Sequence, residues 1–145
     1  MQKLKIAIGS DHGGYDLKEI IKSYLYKIGA VYQDFGAFDK NSVDYPLIAR
    51  EVAGKTASGE FERGILICGS GLGVAIAANK IKGIRAVTCN DIYSAKMSRL
   101  HNNANVLTMG GRIIGCDVAC EIVKVWLETD FEGGRHQKRI DMLEV

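Results

Sequence analysis

Residues 64–80, with the sequence GILICGSGLGVAIAANK, place a cysteine between an apolar run and a predicted helix. The apolar run ends in Cys68, and four small residues follow it: Gly69, Ser70, Gly71 and Gly73. Backbone N–H groups at such a helix N-terminus bind anions, either those of a ligand or those that develop during a reaction. They also stabilise a thiolate, which makes Cys68 a candidate base. A purely structural turn and a buried, unreactive cysteine are the alternatives.

The glycine loop fails to match three known motifs. In the dinucleotide fingerprint GxGxxG/A, the last position would be Val74 counting from Gly69, or Ile76 counting from Gly71. The loop lacks the GK[ST] ending of a Walker A motif. A GxSxG nucleophile elbow would need glycine where Cys68 stands. These mismatches count against a nucleotide site.

Two further segments carry groups suited to sugar and phosphate chemistry. His101 and Asn102 lie in SRLHNNAN, at the predicted end of a helix, and offer an acid–base group and a hydroxyl-binding amide. A dipole-compensating histidine and a capping amide are the alternatives. Arg135 and Arg139, in GGRHQKR, share one face if that segment is helical, and arginine forks suit phosphate oxygens. The alternative there is a solvated basic tail.

These residues sit in a chain that alternates apolar runs with helical patterns. The predicted strands are residues 3–9, 30–36, 64–69, 83–89 and 105–110. The predicted helices are residues 17–28, one beginning at Pro46, one from about 71, one ending at 100, 116–128, and a short one after 133. This pattern predicts a single α/β domain over residues 1–145, a Rossmann-like three-layer αβα sandwich with a five-stranded parallel sheet.

Polar residues follow the predicted strands. Asp11 and His12 come after the first strand, Tyr45 after the second, and Cys68 with its glycine loop after the third. Ligands bind at the carboxyl ends of the strands in folds of this type. The sequence therefore predicts that these groups meet at one edge of the sheet.

Composition narrows the class of protein. The chain has 145 residues, 47% hydrophobic content and a net charge of +2, which gives no reason to expect a nucleic acid or a membrane as partner. The opening apolar stretch is too short for a secretory signal, and no segment is long enough to span a bilayer. The four cysteines form no CxxC pair. We expect reduced thiols in a cytoplasmic protein.

Five segments together resemble a known family. They are GSDHGGYDLK, VDYP, GILICGSGLGVAIAANKIKGIRA, SRLHNNANVLTMGGRIIG and FEGGRHQKR, in that order along the chain. These motifs resemble the type B ribose-5-phosphate isomerases, within the wider group that includes the galactose-6-phosphate isomerase subunits. The resemblance implies interconversion of D-ribose 5-phosphate and D-ribulose 5-phosphate, with neither a metal nor an organic cofactor.

The resemblance also implies roles for individual residues. Cys68 would be the base that takes the C2 proton and returns it at C1, and His101 would assist opening of the furanose ring. The amide cradle for the cis-enediolate would be the loop of Gly69, Ser70, Gly71 and Gly73. The substrate-binding residues implied are Asp11 and Asn102 for sugar oxygens, Tyr45 for the pocket wall, and His12, Arg135, Arg139 and Arg112 for phosphate.

The family is dimeric or tetrameric, with its pocket at a subunit interface. The resemblance therefore implies a homodimer or homotetramer, in which His101, Asn102 and Arg112 are candidates for the neighbouring chain's site. One family branch replaces the cysteine with a glutamate just after the glycine loop. Val74 occupies that position here, which leaves Cys68 as the base.

Two alternatives stay open at this point. MSRLHNNANVLTMG and GGRHQKRIDML also resemble one type of galactose-6-phosphate isomerase subunit, so galactose 6-phosphate or allose 6-phosphate is an alternative substrate. That subunit type generally lacks the intact cysteine–glycine block that this chain retains. A non-catalytic nucleotide- or phosphosugar-binding module on the same fold is the second alternative.

Overall fold

A five-stranded parallel sheet with strand order β2-β1-β3-β5-β4 forms the centre of the molecule. The computed structural model describes residues 4–144. Its strands are β1 Lys5–Ser10, β2 Val31–Asp34, β3 Arg63–Cys68, β4 Ala86–Thr88 and β5 Val106–Gly110. Its helices are α1 Tyr15–Lys27, α2 Tyr45–Ala57, α3 Leu72–Asn79, α4 Ile92–Leu100, α5 Cys116–Glu128 and α6 Arg135–Leu143, with a 3-10 turn over His12–Gly14.

The predicted α/β class, the parallel sheet and every predicted strand and helix are confirmed, with shifts at the ends of elements. Lys3, the predicted start of the first strand, lies outside the described residues. The predicted strand 83–89 shortens to Ala86–Thr88. At the start of β4, side-chain oxygens accept backbone hydrogen bonds in place of a neighbouring strand. The Arg85 amide donates to Asn105 Oδ1 at 2.8 Å, and the Ala86 amide donates to Asn79 Oδ1 at 2.8 Å.

Helices cover both faces of the sheet, as the sandwich prediction requires. α1, α4 and α5 pack on one face, and α2 and α3 on the other. On α5 the buried residues recur at i, i+3, i+4 and i+7: Ala119, Ile122, Val123 and Trp126. Burying each large apolar side chain contributes about 1.5–3 kcal/mol, which fixes the helices against the sheet. Within residues 4–144, every helix is too short or too polar to traverse a lipid bilayer.

After β2, the chain crosses over β1 and adds β3 on the other side of it, so the later strands extend the sheet in the opposite direction. β1 pairs with β2 on one side and with β3 on the other, so the crossovers that leave β1 and β3 diverge. In open parallel sheets, this switch point leaves a crevice at the carboxyl ends of the two strands. Here those ends are Ser10 and Cys68. The topology therefore places the predicted thiol at the position where such folds bind ligands.

The loops that follow β1, β3 and β5 approach one another closely. A Cβ on Gly111 would lie 2.7 Å from the Gly13 carbonyl oxygen. Gly71 has φ +80°, and a Cβ there would lie 2.7 Å from the carbonyl carbon of Met109. Both positions therefore need glycine, because a side chain would push the loops apart. Close packing of this kind holds the three loops as one rigid rim.

Candidate active site

A cleft of about 450 Å³ opens at the switch point. Its lining consists of Asp11, Tyr45, Cys68, Gly69, Ser70, Gly73, Arg112 and Ile113. All of these except Ile113 are site residues predicted from the sequence. The predicted convergence of loops at one edge of the sheet is thus seen for the loops after β1, β2 and β3. The loop after β5, which was not predicted, joins them through Arg112 and Ile113.

The Cys68 thiol lies at the end of β3 and is 5% exposed. The Gly71 amide donates a hydrogen bond to Cys68 Sγ at 3.2 Å. This contact fixes the sulfur against the glycine loop at the edge of the cleft. Cys89 differs, because burial raises the pKa of its thiol to about 11 despite a hydrogen bond with Ser98. Of these two buried thiols, Cys68 is the one that lines the cleft and contacts the glycine loop, whereas Cys89 lies in the apolar core.

Two threonine hydroxyls, one on β4 and one on β5, contact the glycine loop. Thr108 Oγ1 donates to the Gly71 carbonyl at 2.8 Å, and Thr88 Oγ1 lies 3.2 Å from the same oxygen. The two hydroxyls are 2.8 Å apart. Gly71 is therefore fixed at both ends, by its amide on Cys68 and by its carbonyl on the threonines. No sequence motif marks this pair; the available signal was a hydroxyl inside the apolar run VLTMG.

The loop after β1 supplies a carboxylate and an imidazole. Asp11 is 8% exposed, and its Oδ1 accepts a hydrogen bond from the Gly14 amide at 3.1 Å. His12 Nδ1 accepts from the Val43 amide at 3.2 Å. An imidazole that accepts at Nδ1 carries its proton on Nε2. His12 can therefore donate from Nε2 to an anionic oxygen while its ring is held by the loop 35–44.

Lys18 anchors that loop. Its side chain is fully buried and donates to the two carboxylate oxygens of Asp34 at 2.8 and 2.9 Å, and to the Ala37 carbonyl. Burial alone would raise the pKa of Asp34, but hydrogen bonds from Lys18, the Gly36 amide and Lys22 outweigh it and lower that pKa below its ordinary value. The ion pair thus ties α1 to the loop whose Val43 amide orients His12.

Arg112 lies in the chain's own cleft. Its amide donates to the Gly69 carbonyl at 3.0 Å, and a Cβ on Gly69 would lie 3.0 Å from Arg112 Nη1. The guanidinium therefore lies over the glycine loop. Of the three residues considered for the neighbouring chain's site, Arg112 is the one found beside Cys68.

The remaining predicted residues gather elsewhere. A separate cleft of about 370 Å³ is lined by His101, Asn102, His136, Arg139, Ile140 and Leu143. His101 follows the last residue of α4, and its ring stacks on that of His136 with centroids 4.2 Å apart. Arg135 is the exposed first residue of α6, one turn before Arg139. Within a single chain, His101, Asn102 and Arg139 are therefore in a different cleft from Cys68.

A parallel α/β sandwich with a thiol, an amide-rich loop and an arginine at its switch point defines a Rossmann-like enzyme. The family model described as Ribose/Galactose Isomerase matches residues 6–143. The chain belongs to this family, as its motifs predicted.

Individual relatives agree with this assignment. Ribose-5-phosphate isomerase B of Escherichia coli is 48% identical over 139 residues, which cover 96% of this chain and 93% of that protein. D-erythrulose-4-phosphate isomerase of Pectobacterium atrosepticum is 42% identical, over 97% of this chain and 93% of that protein. Ribose-5-phosphate isomerase B of Clostridium thermocellum superposes with a TM-score of 0.96 at 52% identity, covering 97% of this chain and 95% of that one.

Proposed function

We propose that the protein interconverts D-ribose 5-phosphate and D-ribulose 5-phosphate, an intramolecular oxidation–reduction of a phosphosugar. The observation that carries this proposal is the hydrogen bond from the Gly71 amide to Cys68 Sγ in the switch-point cleft. This hydrogen bond places the Cys68 thiol, as carbon base, next to a loop of backbone amides. An aldose–ketose isomerase requires both. Similarity to proteins named ribose-5-phosphate isomerase B, in sequence and in fold, supports the choice of substrate.

Cys68 acts as the carbon base. In the direction from aldose to ketose, its thiolate removes the proton at C2, and the released electron pair forms the C1–C2 double bond. The negative charge passes to the C1 oxygen of the resulting enediolate. The hydroxyl proton moves from O2 to O1, and the thiol returns its proton to C1. The two carbons exchange oxidation states, so the step balances without an external oxidant.

The loop of Gly69, Ser70, Gly71 and Gly73 stabilises the enediolate through its backbone amides. Loss of one oxyanion donor costs about 2.7–4 kcal/mol in catalysis, so a fixed loop is worth a large part of the rate. The threonine pair under Gly71 keeps these amides from reorienting during the reaction. The mechanism needs neither a metal nor an organic cofactor.

The substrate is held at both ends of the cleft. Asp11 and Tyr45 contact sugar hydroxyls, while His12 Nε2 and Arg112 take the phosphate. Their positions in or beside the lining support these roles. Phosphate binding far from C1 and C2 contributes to orientation of the reacting carbons, since correct positioning lowers the barrier.

A second copy of the chain completes the site. His101, Asn102, Arg135 and Arg139 act in the neighbouring chain's cleft, His101 in ring opening, Asn102 on sugar oxygens and the arginines on phosphate. Apolar side chains exposed on the Cys68 side of the fold support this arrangement: Leu47 56%, Leu72 57%, Ile76 62% and Ile113 58%. A homodimer or homotetramer buries them at the interface. We place the enzyme in the cytoplasm, in keeping with its four free thiols.

A substrate panel tests the proposal. Turnover of ribose 5-phosphate is measured without added metal, and kcat/KM is compared with that for allose 6-phosphate and galactose 6-phosphate. We expect the pentose to be preferred. A higher kcat/KM for a hexose phosphate would move the assignment to the six-carbon alternative. Tight binding of a nucleotide with no isomerase turnover would support the non-catalytic module.

A further inference from the structure

Two imidazoles and a carboxylate converge where α4 ends and α6 begins. His101 Nε2 lies 3.9 Å from Glu132 Oε2, and His136 Nε2 lies 3.8 Å from Glu132 Oε1. One ligand atom from each of the three residues falls within 4.8 Å of the other two. Two imidazole nitrogens with one carboxylate oxygen form a donor set that Zn²⁺ uses in proteins.

His136 points into this cluster with an unused nitrogen. The residue is 6% exposed, and its Nε2 has no hydrogen-bond partner within residues 4–144. Buried polar atoms are rarely left in this state, and each case calls for an explanation. A cation between His136 and Glu132 would give the buried nitrogen a partner that residues 4–144 do not supply.

The backbone holds the three side chains in place. The Glu132 amide donates to the Leu100 carbonyl at 3.0 Å, which ties Glu132 to the end of α4 next to His101. The His136 amide donates to the Gly133 carbonyl at 3.2 Å at the start of α6. The two rings are close to parallel, with an interplanar angle of 15°. The backbone therefore brings the three residues together, whereas the ring orientations are set by side-chain rotation.

We propose that His101, Glu132 and His136 form a binding site for Zn²⁺ or a similar divalent transition metal. Zinc binds imidazole nitrogen and carboxylate oxygen at about 2.0–2.2 Å, so tetrahedral ligands lie roughly 3.3 Å apart. The observed separations of 3.8 and 3.9 Å are close to this value. Because the two rings are stacked and a ring nitrogen binds a metal in its own ring plane, the partly exposed His101 ring must turn out of the stack to share an ion with His136. Three protein ligands leave the fourth position to water or an anion. Imidazole ligands favour Zn²⁺ and Cu²⁺ over Mg²⁺ and Ca²⁺.

Two arginines modify the site. Arg135 adjoins His136 in the chain, and Arg139 lines the same cleft one turn further along α6. Their charges repel a cation, so we expect a dissociation constant in the micromolar range rather than that of a structural zinc. The same charges favour an anion in the fourth position. The site is therefore suited to reversible occupancy.

A bound metal would take the Nε2 lone pair of His101. This consequence rests on the proposed function, in which His101 opens the sugar ring. The binding of the metal does not depend on that function. Zn²⁺ is then a reversible inhibitor of ribose 5-phosphate turnover. A chelator should restore activity, because the fold does not depend on the ion.

Calorimetric titration of the full-length protein with Zn²⁺ tests the site, using a Cys116→Ser background to remove the exposed thiol of α5. We expect saturable binding of one ion per chain, weakened at least tenfold by Glu132→Gln and by His136→Gln. Glu121→Gln, which removes an exposed carboxylate from a different cleft beside Gly29 and Ala30, should leave binding unchanged.

Unchanged Zn²⁺ affinity in Glu132→Gln, or no saturation below 1 mM (roughly −4 kcal/mol), would overturn the proposal. Glu132 is half-exposed, so its variant tests the site even where His136→Gln fails to fold. In a parallel activity assay, the Zn²⁺ concentration for half inhibition should rise at least tenfold in Glu132→Gln. Absence of all isomerase activity would contradict the proposed function, while the titration would still decide the metal site.

Discussion

The Gly71 amide donates to Cys68 Sγ across 3.2 Å, and this contact joins the thiol to the loop that follows it. The Gly71 carbonyl is held in turn by Thr108 Oγ1 at 2.8 Å. The Cys68 thiol and the amide loop are therefore one rigid unit, built on β3 and supported by β5. Substitutions that displace this unit and substitutions that remove the thiol should therefore affect activity in different ways.

Gly71→Ala should disable the unit. A methyl group at φ +80° would lie 2.7 Å from the Met109 carbonyl carbon, so the loop must shift and its amide must leave the sulfur. We expect kcat to fall at least tenfold. Gly29→Ala is the matched control, because Gly29 has φ +77° but open space around its Cβ. It should lose about 1 kcal/mol of stability through backbone strain alone, with kcat unchanged. Equal kcat values in the two variants would contradict the close-packing argument.

Lys18→Met should destabilise the fold and weaken substrate binding. The cost should be below the roughly 3–5 kcal/mol of an uncompensated buried charge, because Lys22 and the Gly36 amide still bind Asp34. The loop 35–44 loses its anchor, so Val43 no longer orients His12 and KM should rise more than kcat falls. Urea denaturation and steady-state kinetics measure the two effects. Lys22→Met keeps the Lys18–Asp34 pair and should cost less than 1 kcal/mol, as for exposed pairs.

Acid should destabilise the protein through Asp34. Hydrogen bonds from Lys18, the Gly36 amide and Lys22 outweigh burial and lower the folded-state pKa of Asp34 below its ordinary value. A lowered folded-state pKa stabilises the fold fully above the unfolded pKa of about 3.9, and this stability is lost as the pH falls through the folded-state value. The free energy of unfolding should therefore drop below about pH 4. Asp34→Asn should show a shallower drop; an identical pH dependence would assign the acid sensitivity to other carboxylates.

His101→Asn should separate ring opening from proton transfer. Ribulose 5-phosphate cannot close a furanose ring, because its O5 carries the phosphate. Exchange of its C1 proton with D₂O therefore needs the base but no ring opening. We expect the variant to lose most turnover of ribose 5-phosphate and to retain C1 exchange within about threefold of the native rate, a difference below 1 kcal/mol. Loss of both to the same extent would assign His101 to the proton-transfer step.

Much of the fold could be predicted from the sequence because its signals are local. The i, i+3, i+4, i+7 stripe of α5 and the apolar run before Cys68 both depend on neighbours in the chain. Strand order depends on long-range pairing, and periodicity does not encode it. The insertion of β5 between β3 and β4 therefore came only from the structure, and it is what brings Arg112 over Gly69.

The site was predicted as a set of residue types rather than as an arrangement. Lys18 reads as an ordinary helix residue, since its partner Asp34 lies 16 positions away. The stacking of His101 on His136 likewise depends on how α6 packs against the end of α4. Both relationships are tertiary, so no local pattern could have revealed them.

The most direct test of the central claim is deuterium exchange at C1 of ribulose 5-phosphate with Cys68→Ala. In D₂O, proton NMR follows loss of the C1 signal for the native protein, for Cys68→Ala and for Cys116→Ser, which removes an exposed thiol outside the cleft. We predict native exchange in Cys116→Ser. In Cys68→Ala we predict a rate at least 10³-fold lower (about 4 kcal/mol), with phosphosugar binding retained. Exchange in Cys68→Ala within tenfold of the native rate would contradict the assignment of Cys68 as the carbon base.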